Sequence, residues 1–183
     1  MFYWILKVIF LGPVIRILYR PTIIGKHNIP RRGAAIIASN HQSFSDSIFL
    51  PLAVPRKITF LAKSEYFTGK GITGFFPKMF FARVGQVPID RSGGRASEAA
   101  VYTAVQILQT GKLLGIYPEG TRSPDGRLYR GRTGLIRIAL EANVPIIPVA
   151  LQGTFDIQPP GTLIPKIKRV TITFGEPMHL EEF

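Results

Sequence analysis

The sequence has no cysteine. That single absence removes disulfides, thiolate metal sites and an acyl-cysteine intermediate. Histidine is scarce: His27, His41 and His179 are the only imidazoles. None pairs with another at metal-ligand spacing, so no metal is expected. Acidic residues are few, 11 against 23 Lys plus Arg, for a formal charge of +12. Such a chain favours anionic partners: nucleic acid, an acidic membrane surface or phosphorylated molecules. The cations are scattered and no nucleic-acid motif is present, which sets nucleic acid aside as the expected partner. Repeats, low-complexity tracts and internal linkers are missing too. The 183 residues therefore read as one domain's worth of chain, large enough for a core.

The N-terminus lacks a long unbroken apolar run. Residues Met1 to Tyr19 are mostly apolar and aromatic, but Lys7, Gly12-Pro13 and Arg16 interrupt them. A spanning helix wants about 20 apolar residues with few charges, and the charge-free middle, Val8 to Ile15, is shorter and holds a helix breaker. A signal peptide is disfavoured because no basic residue precedes the apolar run and no small-residue cleavage site follows it. Phe2, Tyr3, Trp4 and Tyr19 suit the headgroup level. The reading is one or two short helices lying in one leaflet. Residues 1–20 form an interfacial anchor and 21–183 the main domain, peripheral or monotopic on the cytoplasmic face of the cell membrane.

What the chain does have is one organising stretch, Ala34 to Asp46. Ala34-Ala35-Ile36-Ile37-Ala38 is a short continuous apolar run, the signature of a buried strand. It breaks into Ser39-Asn40-His41-Gln42-Ser43 and re-enters an apolar pattern at Ile48, Phe49 and Leu50. Open α/β sheets place their chemistry at such strand-to-helix turns. Asp46 is expected about one turn into the helix, capped by Ser43 or Ser45. A carboxylate on one imidazole nitrogen fixes the tautomer and leaves the other nitrogen free to take a proton.

Asn40-His41-Gln42-Ser43-Phe44-Ser45-Asp46 resembles the N-H-x-S-x-x-D block of the glycerolipid acyltransferases, the 1-acylglycerol-3-phosphate acyltransferase family. Three further blocks follow in the family's order: Gly85-Gln86-Val87-Pro88-Ile89-Asp90-Arg91, Tyr117-Pro118-Glu119-Gly120-Thr121-Arg122-Ser123, and Val144-Pro145-Ile146-Ile147-Pro148-Val149-Ala150-Leu151. With the lead-in Ile24 to Pro30, the similarity covers nearly all of the chain after residue 20. The resemblance implies transfer of a fatty acyl group from a coenzyme A or acyl-carrier-protein thioester to a glycerolipid hydroxyl. The first acceptor it suggests is lysophosphatidic acid, with phosphatidic acid as product and no cofactor beyond the thioester co-substrate. It also implies a C-terminal helix beyond Phe174-Gly175-Glu176-Pro177, and the sequence given stops at Phe183.

The remaining pattern is α/β: a mainly parallel central sheet flanked by helices. Strands are expected at Thr22–Gly25, Lys57–Ala62, Val84–Ile89, Leu113–Tyr117, Pro145–Leu151 and Arg169–Phe174, with helices at Arg95–Thr110 and Thr133–Ala142. Tyr66 to Arg83 mixes large rings with cations, which suits a membrane-facing surface and the wall of an acyl-chain groove. Gln152 to Pro165 reads as a proline-bearing surface loop.

The chemistry these residues offer is a single displacement. His41 takes the acceptor's proton while Asp46 orients the ring, and no Gly-x-Ser-x-Gly elbow supports an acyl-serine. Lys63, Arg91 and Arg122 each stand at or just after a strand end, so a parallel sheet would gather them with His41 as a phosphate site. By resemblance, Glu119, Gly120 and Thr121 line the acceptor pocket, with Glu119 better suited to holding Arg122 or its loop than to proton chemistry. Glycerol 3-phosphate, another lysophospholipid or a lipid-linked sugar are alternative acceptors. A non-catalytic basic module on lipid or nucleic acid is the remaining reading, and it leaves the His41/Asp46 pair without a purpose.

Overall fold

The computed structural model describes residues 2–63, 86–89 and 95–180. The strands are β1 Thr22–Ile24, β2 Ala35–Ser39, β3 Ile58–Lys63, β4 Gln86–Ile89, β5 Leu113–Ile116, β6 Ile146–Gln152 and β7 Thr171–Phe174. They form one seven-stranded sheet in the order β1-β7-β6-β2-β5-β3-β4. Neighbours run parallel except β6 and β7, which are antiparallel. Helix α1 spans Phe2–Tyr19; α2 is Asp46–Ala53, α3 Arg95–Gln109, α4 Gly134–Ala142 and α5 Thr154–Ile157. The expected α/β class and mainly parallel sheet hold.

Central strands are apolar without interruption because both faces of the sheet are covered. Ile37, Leu113 and Ile147 belong to one buried cluster with Phe49 and Leu50 of α2. Their neighbours Ile36, Leu114 and Ile146 belong to the other, with Val101 and Leu108 of α3 and Ile138 of α4. Right-handed crossovers explain the division. The chain leaves β2 towards β3 on one side, and leaves β5 towards β6 on the other. Helices on connections of opposite direction must lie on opposite faces. Since β2 and β5 are adjacent, a crevice opens between the loops at their carboxyl ends, a topological switch point.

Helix α1 is one continuous element of 18 residues, where one or two short helices were expected and Gly12-Pro13 was read as a helix breaker. Proline lacks an N–H and its ring clashes with the carbonyl four residues back in an α-helix. A π-helical turn at Leu6–Leu11 widens the backbone just before Pro13 and relieves this. Gly12 is required there, since a Cβ would collide with the Lys7 carbonyl oxygen. The helix is long and apolar enough to cross a membrane by length and composition. Yet it is tied down: Tyr3 and Tyr19 are buried, and Tyr19 meets Phe49 edge-on at 5.2 Å. Lys7 Nζ donates to the carbonyls of Pro51, at 2.7 Å, and Val54, at the end of α2. Those carbonyls have no intrahelical partner, so a cation there satisfies them and the helix dipole together. Val8, Ile9, Phe10, Val14, Ile17 and Leu18 remain exposed.

Two smaller departures concern the later chain. The loop after β6 contains the one-turn helix α5, and β7 reverses direction beside β6. The Phe-rich stretch 66–83 and Arg91 lie outside the described residues.

Gly115 opposes Phe60 in the β5–β3 register, and a Cβ on it would collide with the Phe60 ring. Gly115→Ala should therefore lower stability by roughly 1–3 kcal/mol, read as a lower denaturation midpoint. Phe60→Leu in the same background should recover part of the loss. A Gly115→Ala protein that melts like the parent would remove the close approach from the account.

Candidate active site

A buried carboxylate costs several kcal/mol unless hydrogen-bond donors replace its water. Asp46 is fully buried at the first residue of α2. Its Oδ2 accepts from the Gln42 N–H and the Ser43 N–H, each at 2.7 Å, and meets His41 Nδ1 at 2.9 Å. The helix N-terminus adds its positive end. An oxygen already accepting two backbone donors is an acceptor towards the ring as well. Nδ1 therefore carries the proton, and Nε2 keeps the lone pair.

This corrects the expected local geometry. Asp46 opens the helix and does not lie a turn inside it, which lets one oxygen gather the N–H groups of the approaching turn. Ser45 occupies the N-cap without a side-chain bond to the helix. Ser43 Oγ accepts the Ser45 N–H at 3.1 Å and donates to the Gln158 carbonyl at 2.8 Å. Neither serine caps α2.

The backbone of His41 is clamped by the loop after β5. Its N–H donates to Glu119 Oε1 at 2.8 Å, and its carbonyl accepts the Ser123 N–H at 2.8 Å. Glu119 Oε2 accepts the Tyr129 N–H at 3.1 Å. Of the two expected tasks for Glu119, the structure uses it to hold the loop. On the other side, Asn40 forms a two-bond bridge to Leu151 of β6: Nδ2 to the carbonyl at 2.9 Å and Oδ1 from the N–H at 2.7 Å. Gln42 Nε2 donates to the Gly126 carbonyl at 2.7 Å. The turn is thus fixed from both flanks of the switch point.

The imidazole itself lies on an aromatic stack. Its centroid is 3.9 Å from that of Tyr117, with the planes 13° apart. Tyr117 is in turn stacked on Phe60 at 5.7 Å and 17°. Burial, and after it the Asp46 carboxylate, raise the Tyr117 phenol far above its ordinary range. The ring therefore stays neutral and presents its electron-rich face. A proton arriving on His41 would gain about 0.5–2 kcal/mol from that face. Sequence reasoning gave Tyr117, Phe60, Asn40 and Gln158 no site role. Tyr117 did stand inside a quoted block, but a stack across three strands leaves no local pattern.

Of the expected cations, Lys63 and Arg122 belong to backbone segments at this edge of the sheet. Lys63 closes β3, in register with Ile89 at the end of β4, and these strands run parallel to β5 and β2. Arg122 is exposed in the loop that carries Glu119, Gly120 and Thr121. Gly120 has φ +76°, and a Cβ there would come within 3.1 Å of Arg132 Nε, so Arg132 also borders this loop. Among the described residues no carboxylate pairs with Arg122 or Arg132.

The acyltransferase family model matches residues 20–152. A chloroplastic 1-acyl-sn-glycerol-3-phosphate acyltransferase of Arabidopsis thaliana is 32% identical over 163 residues, 88% of this chain and 44% of that protein. The 1-acyl-sn-glycerol-3-phosphate acyltransferase of Bacillus subtilis is 31% identical over 163 residues, 88% of this chain and 75% of that one. The crystal structure of the 1-acyl-sn-glycerophosphate acyltransferase PlsC from Thermotoga maritima superposes with a TM-score of 0.69 at 26% identity. That match covers 97% of this chain and 72% of the other. The chain thus spans less than half of the plant relative and about three quarters of the bacterial ones.

The stack has a direct spectroscopic signature. Tyr117 should shield the His41 ring protons, so Tyr117→Leu should move those NMR resonances downfield and lower the melting temperature. Tyr117→Phe should preserve both. Unmoved His41 resonances in Tyr117→Leu would show that the rings do not stack in solution.

Proposed function

The chain belongs to the acyltransferase family, and on that footing we propose that it is an O-acyltransferase of phospholipid biosynthesis. It moves a fatty acyl group from a coenzyme A or acyl-carrier-protein thioester to the sn-2 hydroxyl of 1-acylglycerol 3-phosphate and yields phosphatidic acid. The observation that carries this reading is the His41–Asp46 contact of 2.9 Å at the switch point, with Nε2 left unprotonated. A ring held by its tautomer, its backbone and its face can accept a proton without reorganising.

In the reaction, the acceptor oxygen bonds to the thioester carbonyl carbon while His41 Nε2 takes the hydroxyl proton. The tetrahedral adduct then breaks its carbon–sulfur bond, and the proton passes from Nε2 to the departing thiolate. Asp46 stabilises the transient imidazolium, and Tyr117 offers its face. Ser43 is fully buried and engaged with Gln158, which supports direct transfer over an acyl-serine. The thioester is a co-substrate, and no resident cofactor or metal enters the scheme.

Lys63, Arg91 and Arg122 receive the acceptor's phosphate, and Gly120 and Thr121 border its pocket. Arg122 is free of any carboxylate among the described residues, so its fork is available to phosphate oxygens. Helix α1 holds the enzyme on the anionic cytoplasmic face of the membrane. Its exposed apolar side chains enter one leaflet while Lys7 and Tyr19 keep it attached to α2.

His41→Ala should reduce kcat by about 10²–10⁴ while the protein remains folded, and Asp46→Asn should also impair turnover severely. The assay is acyl transfer from acyl-CoA to 1-acylglycerol 3-phosphate, with circular dichroism alongside. Near-normal turnover in the His41 variant would end the mechanism.

For Arg122→Ala the loss should fall on the acceptor's KM, by roughly one to two decades, corresponding to about 1.5–3 kcal/mol for a charged hydrogen bond. Arg122→Lys should recover only part. Equal damage to donor and acceptor terms, accompanied by a lower melting temperature, would assign Arg122 to structure.

A further inference from the structure

The segment joining α5 to β7 is unlike an ordinary surface loop. Leu163, Ile164 and Ile167 are 91%, 80% and 60% exposed. Lys166, Lys168 and Arg169 are exposed between and after them. No acidic residue occurs from Ile157 to Gly175. Side chains of this size are costly in water unless something apolar receives them. The site chemistry above makes no use of any of them.

The tip is built, and its base is shared with α1. The Lys166 N–H donates to the Ile157 carbonyl at 2.8 Å, and the Thr162 N–H to that of Pro159 at 3.0 Å. Gln158 Nε2 donates to the carbonyls of Thr162 and Leu163 at 3.2 and 3.3 Å. Ile167, Lys168 and Arg169 line one cleft together with Leu18, Tyr19 and Arg20 from the end of α1. The exposed apolar surface of α1 and this tip therefore adjoin. Exposure also grades along the segment: the two most exposed apolar residues precede the cations, and Ile167 lies lower among them. A bilayer has the matching profile, acyl chains beneath a layer of anionic phosphate. A protein partner would offer no such order to a strip with cations on its inner side only.

We propose that residues 163–169 are a second membrane contact, specific for an anionic phospholipid bilayer. Leu163 and Ile164 enter the acyl layer, Ile167 reaches its boundary, and Lys166, Lys168 and Arg169 meet lipid phosphates. The contact extends the membrane reading of α1 and does not depend on the proposed reaction. Two adjoining contacts on different elements fix the protein's rotation on the surface as well as its attachment. Gln158 passes that placement to the site, since its carbonyl accepts Ser43 Oγ within the turn that carries His41.

The test uses the full chain and vesicles of phosphatidylcholine with or without phosphatidylglycerol, and it reads no enzymatic activity. Trp4 is the only tryptophan, so Trp4→Phe with Ile164→Trp places a single reporter at the tip. On anionic vesicles its emission should shift to the blue and be quenched by lipids brominated in the acyl chain. Leu163→Ser with Ile164→Ser should weaken partitioning about tenfold or more. Lys166→Gln and Lys168→Gln should each weaken it about fivefold on anionic vesicles, and far less on phosphatidylcholine alone. An unshifted, unquenched reporter on a chain that still sediments with vesicles overturns the proposal while leaving α1 as the anchor. A blue shift that appears without lipid, together with self-association in sedimentation, overturns it in favour of a contact between copies of the chain.

Discussion

Everything at the candidate site depends on the burial of one carboxylate. Asp46 has no access to water, so the chain must supply donors, and it does so at Oδ2 from the residues that need positioning, while Oδ1 has no hydrogen-bond partner among the described residues. Two of the donors are backbone N–H groups of the turn and one is the imidazole. The bonds that make the burial tolerable therefore also shape the turn and select the tautomer. Neutralising or moving this carboxylate would undo both at once. That coupling explains why Glu119 and Asn40 are spent on backbone partners. They hold the turn in the one geometry that lets Oδ2 collect its donors.

Helix α2 passes this constraint to α1. Its first residue is Asp46, and the carbonyls at its far end accept Lys7 of α1. A short helix held at one end by the hydrogen bonds of Asp46 and at the other by Lys7 of α1 is a rigid strut. Proline at position 51 removes one internal hydrogen bond, and Phe49 and Leu50 compensate by burial against the sheet. The distance between the His41 turn and the exposed apolar face of α1 is thus set by two turns of helix. Flexible loops would leave that distance ill-defined, which the proposed reaction between a bilayer-held acceptor and a base would not tolerate.

The excess of positive charge acquires a location once the strands are in order. The carboxyl ends of β2, β5, β3 and β4 stand side by side, and each leads into a segment bearing His41, Arg122, Lys63 or Arg91. A second group of cations lies around the end of α1 and the segment before β7. A net charge of +12 is compatible with many partners; its division between the edge that carries the candidate site and an apolar rim fits the proposed phosphorylated lipid drawn from a surface.

The sequence by itself determined what rests on neighbours in the chain. The apolar run at Ala34–Ala38, the break into His41, the five-residue step to Asp46 and the alternation in Arg169–Phe174 are local patterns, and each appears close to where it was read. Parallel order, and with it the gathering of strand ends, followed from strands alternating with helices. The length of α1 was under-read, because the π turn that accommodates Gly12-Pro13 is a backbone adjustment with no side-chain signature. Only the tertiary structure decided the rest. Glu119, Leu151 and Gln158 join the His41 turn across 78, 111 and 115 residues, and Tyr117 reaches His41 through the adjacency of β2 and β5. Such contacts follow from which strands lie side by side. Hydrophobic periodicity specifies a strand's faces but not its neighbours, so the partners that immobilise His41 exist only after the sheet is assembled.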